Sequence, residues 1–361
     1  MLNIRDRNAG FAAGQEQVWG FDARTGIDSR SYFAPGAKIF YVDQNNTLAV
    51  DAGNLGENPT VPLATVAAAI VLCRDHQGDT IVVGANDAWQ YAPQTYRPLP
   101  VTESVTIPMD KGGIRIVGSS TNPLGVSWTP AGASEVAITV HAVDVIIEGF
   151  CFIPEFANCI GILCEWGSAA SYGENLTVRH CFFESSLDYG IQYDFSWYCY
   201  VYQNYFDGIN VAAIHNLAVE GDPDYLSVTG NVFDGCAIAL DLDGTDNMIV
   251  ENNKFTDCPV GIAMNGSDEC TVVDNIFNDP AATVAIDMAA SDANAIHGNI
   301  INGDPTGTNN FIDATGSADN IVSDNFLACT IAQYDVTCSD ATSGAWVNNH
   351  CTDGDTVLPP V

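Results

Sequence analysis

The stretch from Asp224 to Met288 carries one pattern three times at a period of 22 residues. The copies are Asp224-Tyr-Leu-Ser-Val-Thr-Gly-Asn231-Val-Phe233, Asp246-Asn-Met-Ile-Val-Glu-Asn-Asn253-Lys-Phe255 and Asp268-Glu-Cys-Thr-Val-Val-Asp-Asn275-Ile-Phe277. Each reads as a short alternating strand, an Asn, an aromatic two positions on, an acidic turn, and a second strand such as Ala237 to Leu242 or Val260 to Met264. A fixed period of about 20 to 50 residues is the mark of a solenoid. There is neither a Leu-x-x-Leu-x-Leu frame nor a 3.6-residue apolar period, so leucine-rich and helical repeats are set aside. What remains is a β-solenoid of short Val- and Ile-rich strands, separated by Asn, Asp and Gly, which tolerate left-handed turn conformations.

The pattern extends with looser spacing to His180-Cys-Phe182 and Asn204-Tyr-Phe206 upstream, and to Asn299, Asn325 and Asn349 downstream. In a solenoid each anchor lies over its counterpart at roughly the 4.8 Å strand spacing. The Asn and Phe columns are therefore read as scaffold, and His180, in an anchor slot, as stacked scaffold rather than a base. Cys236 and Cys258 each fall five residues after their anchor and should stack as interior thiols. No Cys-x-x-Cys pair suggests zinc.

Charge sets the second constraint. The formal net charge is −34, with three lysines, Lys38, Lys111 and Lys254. Beyond residue 180 there are 27 acidic residues against one Lys. Such a body repels nucleic acid, anionic membranes and acidic polysaccharides. No apolar run is long enough to span a bilayer, and the N-terminus lacks an apolar core of signal-peptide length. Synthesis in a host cytoplasm, without membrane insertion, is the expectation.

In chain order, residues 1–36 hold scattered Gly and aromatics, including Trp19 and Phe21, with Arg5, Arg7, Arg24 and Arg30 balanced by four acids. They read as an arm that orders on a partner or folds back on the body. Residues 37–361 read as the solenoid domain: a strand from Lys38 to Asp43, an Ala-rich helix over 62–76 with Leu63, Val66, Ile70 and Cys73 on one face, and coils from about 79 to 351.

At this point Gly78-Asp-Thr-Ile-Val-Val83 and Gly113-Ile-Arg-Ile-Val-Gly118 carry a resemblance. The chain resembles the pectate-lyase-like right-handed parallel β-helix superfamily, whose members often open with an amphipathic helix capping the solenoid, followed by such a strand. The resemblance implies an all-β, right-handed parallel β-helix of about ten coils with an N-terminal capping helix. The block from Lys38 to Val83 also resembles proteins that tailed phages carry on their virions, which implies a virion surface location. An uncovered coil end is an open sheet edge that invites polymerisation, which is why a cap is expected.

Catalytic chemistry is harder to read. Beyond residue 111 the basic residues are Arg115, Arg179 and Lys254 alone, whereas the superfamily's pectate lyases need a base beside a calcium cluster. The polygalacturonase motifs, a nucleophile elbow and a phosphate loop are all missing, and no cofactor is expected. A glycosidase of tailspike type needs only two carboxylates. The fallback candidates are Asp194 with Asp207, near the aromatic run, and Asp241 with Asp243; Asp241, Asp243 and Asp246 together are a weak Ca²⁺ candidate without the distal Glu of an EF-hand. Alternation places Tyr198, Tyr200 and Tyr202 on one outward face, open to a subunit interface, a glycan or local packing. The leading expectation is a non-enzymatic virion protein, a head decoration or fibre-like protein anchored to other virion proteins through residues 1–36 and homotrimeric. The alternatives are a tailspike-type depolymerase and a glycan-binding adhesin.

Overall fold

The computed structural model describes residues 21–22, 27–28, 36–84, 89–92, 95–98, 100–120, 125–165, 174–194, 196–217, 224–278, 284–302, 310–314, 317–327 and 345–351. Three parallel sheets wind together as a right-handed β-helix. The first runs through twelve strands from Ile39–Val42 to Ala345–Val347, the second through eleven from Val101–Thr102 to His350–Cys351, and the third through nine from Val105–Ile107 to Asn310–Asp313. From Arg115–Gly118 onward, eight successive turns give one strand to each sheet. Among the described residues, then, the complete coils number eight, near the expected ten.

Strands of two to five residues suffice because all but those at the sheet ends are paired on both sides. Alternation sends every second side chain inward: Val201 is buried between outward Tyr200 and Tyr202 on strand Tyr200–Tyr202. The inward side chains form one continuous apolar column. Within it Phe152, Phe183, Phe206, Phe233, Phe255 and Phe277 stack face to face at 4.5 to 5.0 Å. The third sheet supplies small residues opposite these rings. A Cβ on Gly190 would stand 2.8 Å from the Phe206 ring and 2.6 Å from the Ala213 carbonyl.

The corner between the first and second sheets is held by the asparagines. Asn253 accepts the Asn231 N–H at 2.8 Å and its amide at 3.0 Å, and donates to the Val228 carbonyl at 2.8 Å and to Asn275 at 3.0 Å. The same bonds recur from Asn204 through Asn231, Asn275, Asn299 and Asn325 to Asn349. The column is thus scaffold. At its upstream end the expected alignment fails by one residue: Cys181, not His180, occupies the slot, its N–H donating to Asn204 Oδ1 at 2.9 Å. Phe183, not Phe182, accordingly continues the ring stack. The nine cysteines with described side chains are buried.

The helix is Val66–Leu72, shorter than the expected 62–76. Thr65 caps its N-terminus and Cys73 turns extended, while Lys111 Nζ donates to the Val71 and Cys73 carbonyls at 3.1 and 2.6 Å. Leu63, Val66, Ile70 and Cys73 are all buried, as their shared face required. Asp79 is buried and joins helix to solenoid, accepting the Lys38 N–H and three bonds from Arg74.

Arg5, Arg7 and Trp19 lie outside the described residues. Phe21 belongs to a two-residue strand, Phe21–Asp22, paired antiparallel with Ile27–Asp28 in a sheet separate from the three solenoid sheets.

Candidate functional site

Residues at equivalent outward positions line up across the turns, so the chemistry of a β-helix face is read by column. On the third sheet one outward column runs Gln192, His215, Asp241, Ala263, Asp287, Asp313, each a register partner of the next. In another column of this sheet Tyr189 stacks its ring on His215, with centroids 4.9 Å apart. His215 Nδ1 lies 2.9 Å from Asp241 Oδ2, an ion pair when the ring is protonated. Burial pushes the Asp287 carboxyl up, and the charges of Asp313 and Asp243 add to that against a backbone hydrogen bond from Ala289. The Asp243 carboxyl is raised too, by burial first and by Asp241, although Asn265 donates to it at 2.8 and 3.1 Å. A shallow cleft of about 360 Å³ opens at the start of this sheet, lined in part by Phe156, Asp188 and Asn210.

The residues singled out from sequence are distributed as follows. Asp241 and Asp243 lie on this surface but turn to different partners, His215 and Asn265. Asp246 lies in the following turn and accepts the Asp268 N–H at 2.7 Å. The three carboxylates thus do not converge, and among the described residues no three His, Cys, Asp or Glu side chains are grouped to hold a metal ion. Asp194 and Asp207 are not brought together. Asp194 follows strand Tyr189–Tyr193 of the third sheet and is buried, whereas Asp207 ends strand Tyr205–Asp207 of the second sheet beside Asp234. Sequence reasoning missed His215, Asp287 and Asp313. The signal was there as a repeat position near the end of the third strand, filled by His215, Asp241, Asp287 and Asp313 but by Gln192 and Ala263 in other coils, and the loosened spacing beyond Phe277 hid it.

Alternation holds for Tyr200 and Tyr202, while Tyr198, at φ 57°, lies in the turn before their strand. Tyr200 is outward and exposed, Tyr202 is outward and half-buried, and Tyr198, in the preceding turn, stacks on Tyr225 at 4.8 Å.

Residues 161–327 match the family model described as the right handed beta helix region. No curated protein matches the chain by sequence. Among solved structures, a DFA-IIIase mutant from Arthrobacter chlorophenolicus A6 in complex with DFA-III is 12% identical over 84% of this chain and 85% of that one, with a TM-score of 0.54. A lacto-N-biosidase from Eubacterium ramulus is 10% identical over 87% and 67%, with a TM-score of 0.48. The tailspike protein of E. coli bacteriophage HK620 in complex with a pentasaccharide is 13% identical over 79% and 56%, with a TM-score of 0.43. At these identities the likeness is one of fold, and of these three structures only the first, with a TM-score above 0.5, bears on it.

Proposed function

We propose that this β-helix is a glycan-cleaving surface protein of a tailed-phage particle, with Asp287 and Asp313 as its carboxylate pair. The observation that carries the reading is that these two acids are register partners on the outer face of the third sheet, with the Asp287 carboxyl held above its ordinary range by burial and by its charged neighbours. Neighbouring strands lie about 4.8 Å apart, near the roughly 5 Å separation of retaining glycosidases. In that chemistry protonated Asp287 gives its proton to the glycosidic oxygen while the Asp313 carboxylate attacks the anomeric carbon. Water, losing a proton back to Asp287, then releases the sugar from Asp313. Tyr189, four coils away from Asp287 and stacked on His215, offers a ring face to a sugar farther along the glycan.

The purified full chain spotted on a host lawn should clear a halo of surface polysaccharide, and Asp313→Asn should not. A wild type that clears no halo and releases no reducing sugar from the host polysaccharide would end this reading.

A non-enzymatic decoration or fibre-like role is the second reading. It is favoured by the small hairpin of Phe21–Asp22 and Ile27–Asp28, which stands outside the solenoid sheets as an anchoring arm would. In both readings residues 1–36, with Arg5, Arg7, Trp19 and Phe21, join a homotrimer to other virion proteins at the virion surface. Removing residues 1–36 should leave a folded body that no longer joins particles; unchanged incorporation would sink the anchor. Gold-labelled antibody over the head would favour decoration, and label at the tail tip would favour cleavage of a host glycan.

A further inference from the structure

Two of the few basic side chains of the solenoid meet at one glutamate on the outer face of the first sheet. Glu148 Oε2 accepts from Arg179 Nε at 2.9 Å and Nη2 at 2.7 Å, and from Arg115 Nη2. On its other oxygen His180 Nδ1 stands at 3.4 Å, and His180 Nε2 lies 2.6 Å from Gln203 Oε1. Burial alone would raise the Glu148 carboxyl, yet the His180 bond and the two guanidiniums hold it at about 2. It stays ionised, and one carboxylate faces two guanidiniums. The cluster carries one positive charge in excess, and two when His180 is protonated.

The excess sits at the edge of an aromatic surface. Arg179 Nη1 donates to the Tyr202 hydroxyl at 2.5 Å, with its carbon 5.7 Å from the Tyr202 ring centre. Thr177 and Arg179 are the register partners of Tyr200 and Tyr202, so the exposed Tyr200 ring stands one column from the guanidinium. The stacked Tyr198 and Tyr225 extend the aromatic surface into the adjoining turn. The shift of one residue at Cys181 is what brings His180 here: at φ 52° it points away from the Asn column, and its side chain is 46% exposed.

We propose that this face binds a glycan through a single carboxylate-bearing sugar, the carboxylate resting against Arg179 and His180 and the sugar rings against Tyr200 and Tyr198. A partly buried excess of guanidinium charge is relieved by an anion, and tyrosine faces suit the apolar side of a pyranose. The ligand carries isolated charges because the rest of the body is so acidic. A polyuronate would bring a charge on every residue against a surface with 27 acids and one Lys beyond residue 180. A lone carboxylate meets that field only within the screening length of about 8 Å. The site lies on a different sheet from Asp287 and Asp313, and its occupancy does not depend on their cleaving anything.

Titration calorimetry of the full chain with sialyllactose, which has one carboxylate, with lactose as its neutral counterpart and with oligogalacturonate as a polyanion tests this directly. Near about pH 6, sialyllactose should bind about tenfold more tightly than lactose, and oligogalacturonate more weakly than sialyllactose. Arg179→Gln should erase the preference. His180→Gln, at an exposed position that folding tolerates, should reduce it and remove its decline as pH rises. Tyr200→Ala should weaken both trisaccharide and disaccharide alike. Equal affinity for sialyllactose and lactose, no binding of either, a preference that survives both His180→Gln and Arg179→Gln, or tighter binding of oligogalacturonate would each overturn the proposal.

Discussion

In the turn between the third and first sheets, Asp246, Asp268 and Asp292 stack on successive coils, and each carboxylate accepts a backbone N–H from the coil above. Those bonds, from Asp268, Asp292 and Ala318, measure 2.7, 2.6 and 2.6 Å. On the outer face of the third sheet, Asp287 stacks on Asp313 where the strand N–H groups are engaged in the sheet ladder. There like charge meets like, and the Asp287 carboxyl rises through burial and that repulsion. The same residue type at the same spacing is structural in one column and poised in the other. What separates them is how good the backbone donor is: the turn N–H groups reach their carboxylates at 2.6 to 2.7 Å, whereas the Ala289 N–H lies 3.4 Å from Asp287 Oδ1.

The sharpest way to break this contrast is activity. Asp313→Asn should lower turnover of the host polysaccharide by about 10²- to 10⁴-fold, whereas Asp268→Asn should leave it unchanged; equal losses in initial-rate assays would mean that the sheet column is not special. The next effect is on stability, in the best-satisfied column of all. Asn253→Ala would strand the Asn231 N–H, the Val228 carbonyl and their amide partners in the interior, costing about 3 kcal/mol by chemical denaturation. Smaller is Asp268→Ala, which should cost about 1 kcal/mol through the orphaned Asp292 N–H, while Asp268→Asn keeps an acceptor and should cost almost nothing.

The smallest effect has the opposite sign. Asp287→Asn should raise stability by a few tenths of a kcal/mol, because it removes a like-charge contact between directly opposed strand residues. The pH dependence follows from the raised Asp287 carboxyl: the folded state holds that proton more tightly than the unfolded chain. Stability is therefore greater below the ordinary Asp value of 3.8 and is lost as pH rises through the folded value. Melting curves of wild type and Asp287→Asn should converge in acid and separate above it. A variant less stable than wild type at neutral pH would place Asp287 among the scaffold aspartates.

Much of the fold was legible because the scaffold repeats and the repeat is its own alignment. Asn231, Asn253 and Asn275 recur at 22 residues because each amide must meet the next. Phe233, Phe255 and Phe277 recur because each ring must cover the next. The two errors that matter came where this self-alignment weakened. Without an Asn to mark the coil, the sequence pattern points to His180 as the anchor where the structure has Cys181, and one residue of slip along a strand moves every side chain to the opposite face. That slip hid the Glu148 cluster. Asp241, Asp243 and Asp246, adjacent in sequence, were grouped, although a strand end and the turn after it aim them at His215, Asn265 and the Asp268 N–H.

The sequence by itself therefore determined the architecture: the inward columns, the apolar helix face and the buried thiols follow from local alternation and a near-regular repeat, and the right-handed coil from the resemblance that Gly78 to Val83 and Gly113 to Gly118 carry. Only the tertiary structure decided which side chains meet on the outside. Glu148 joins Arg115 and Arg179 across gaps of 33 and 31 residues, and Asp287 meets Asp313 across a coil whose length differs from its neighbours'. Outward columns are set by how long each intervening turn is, and turn length is the one quantity that an interior repeat leaves free.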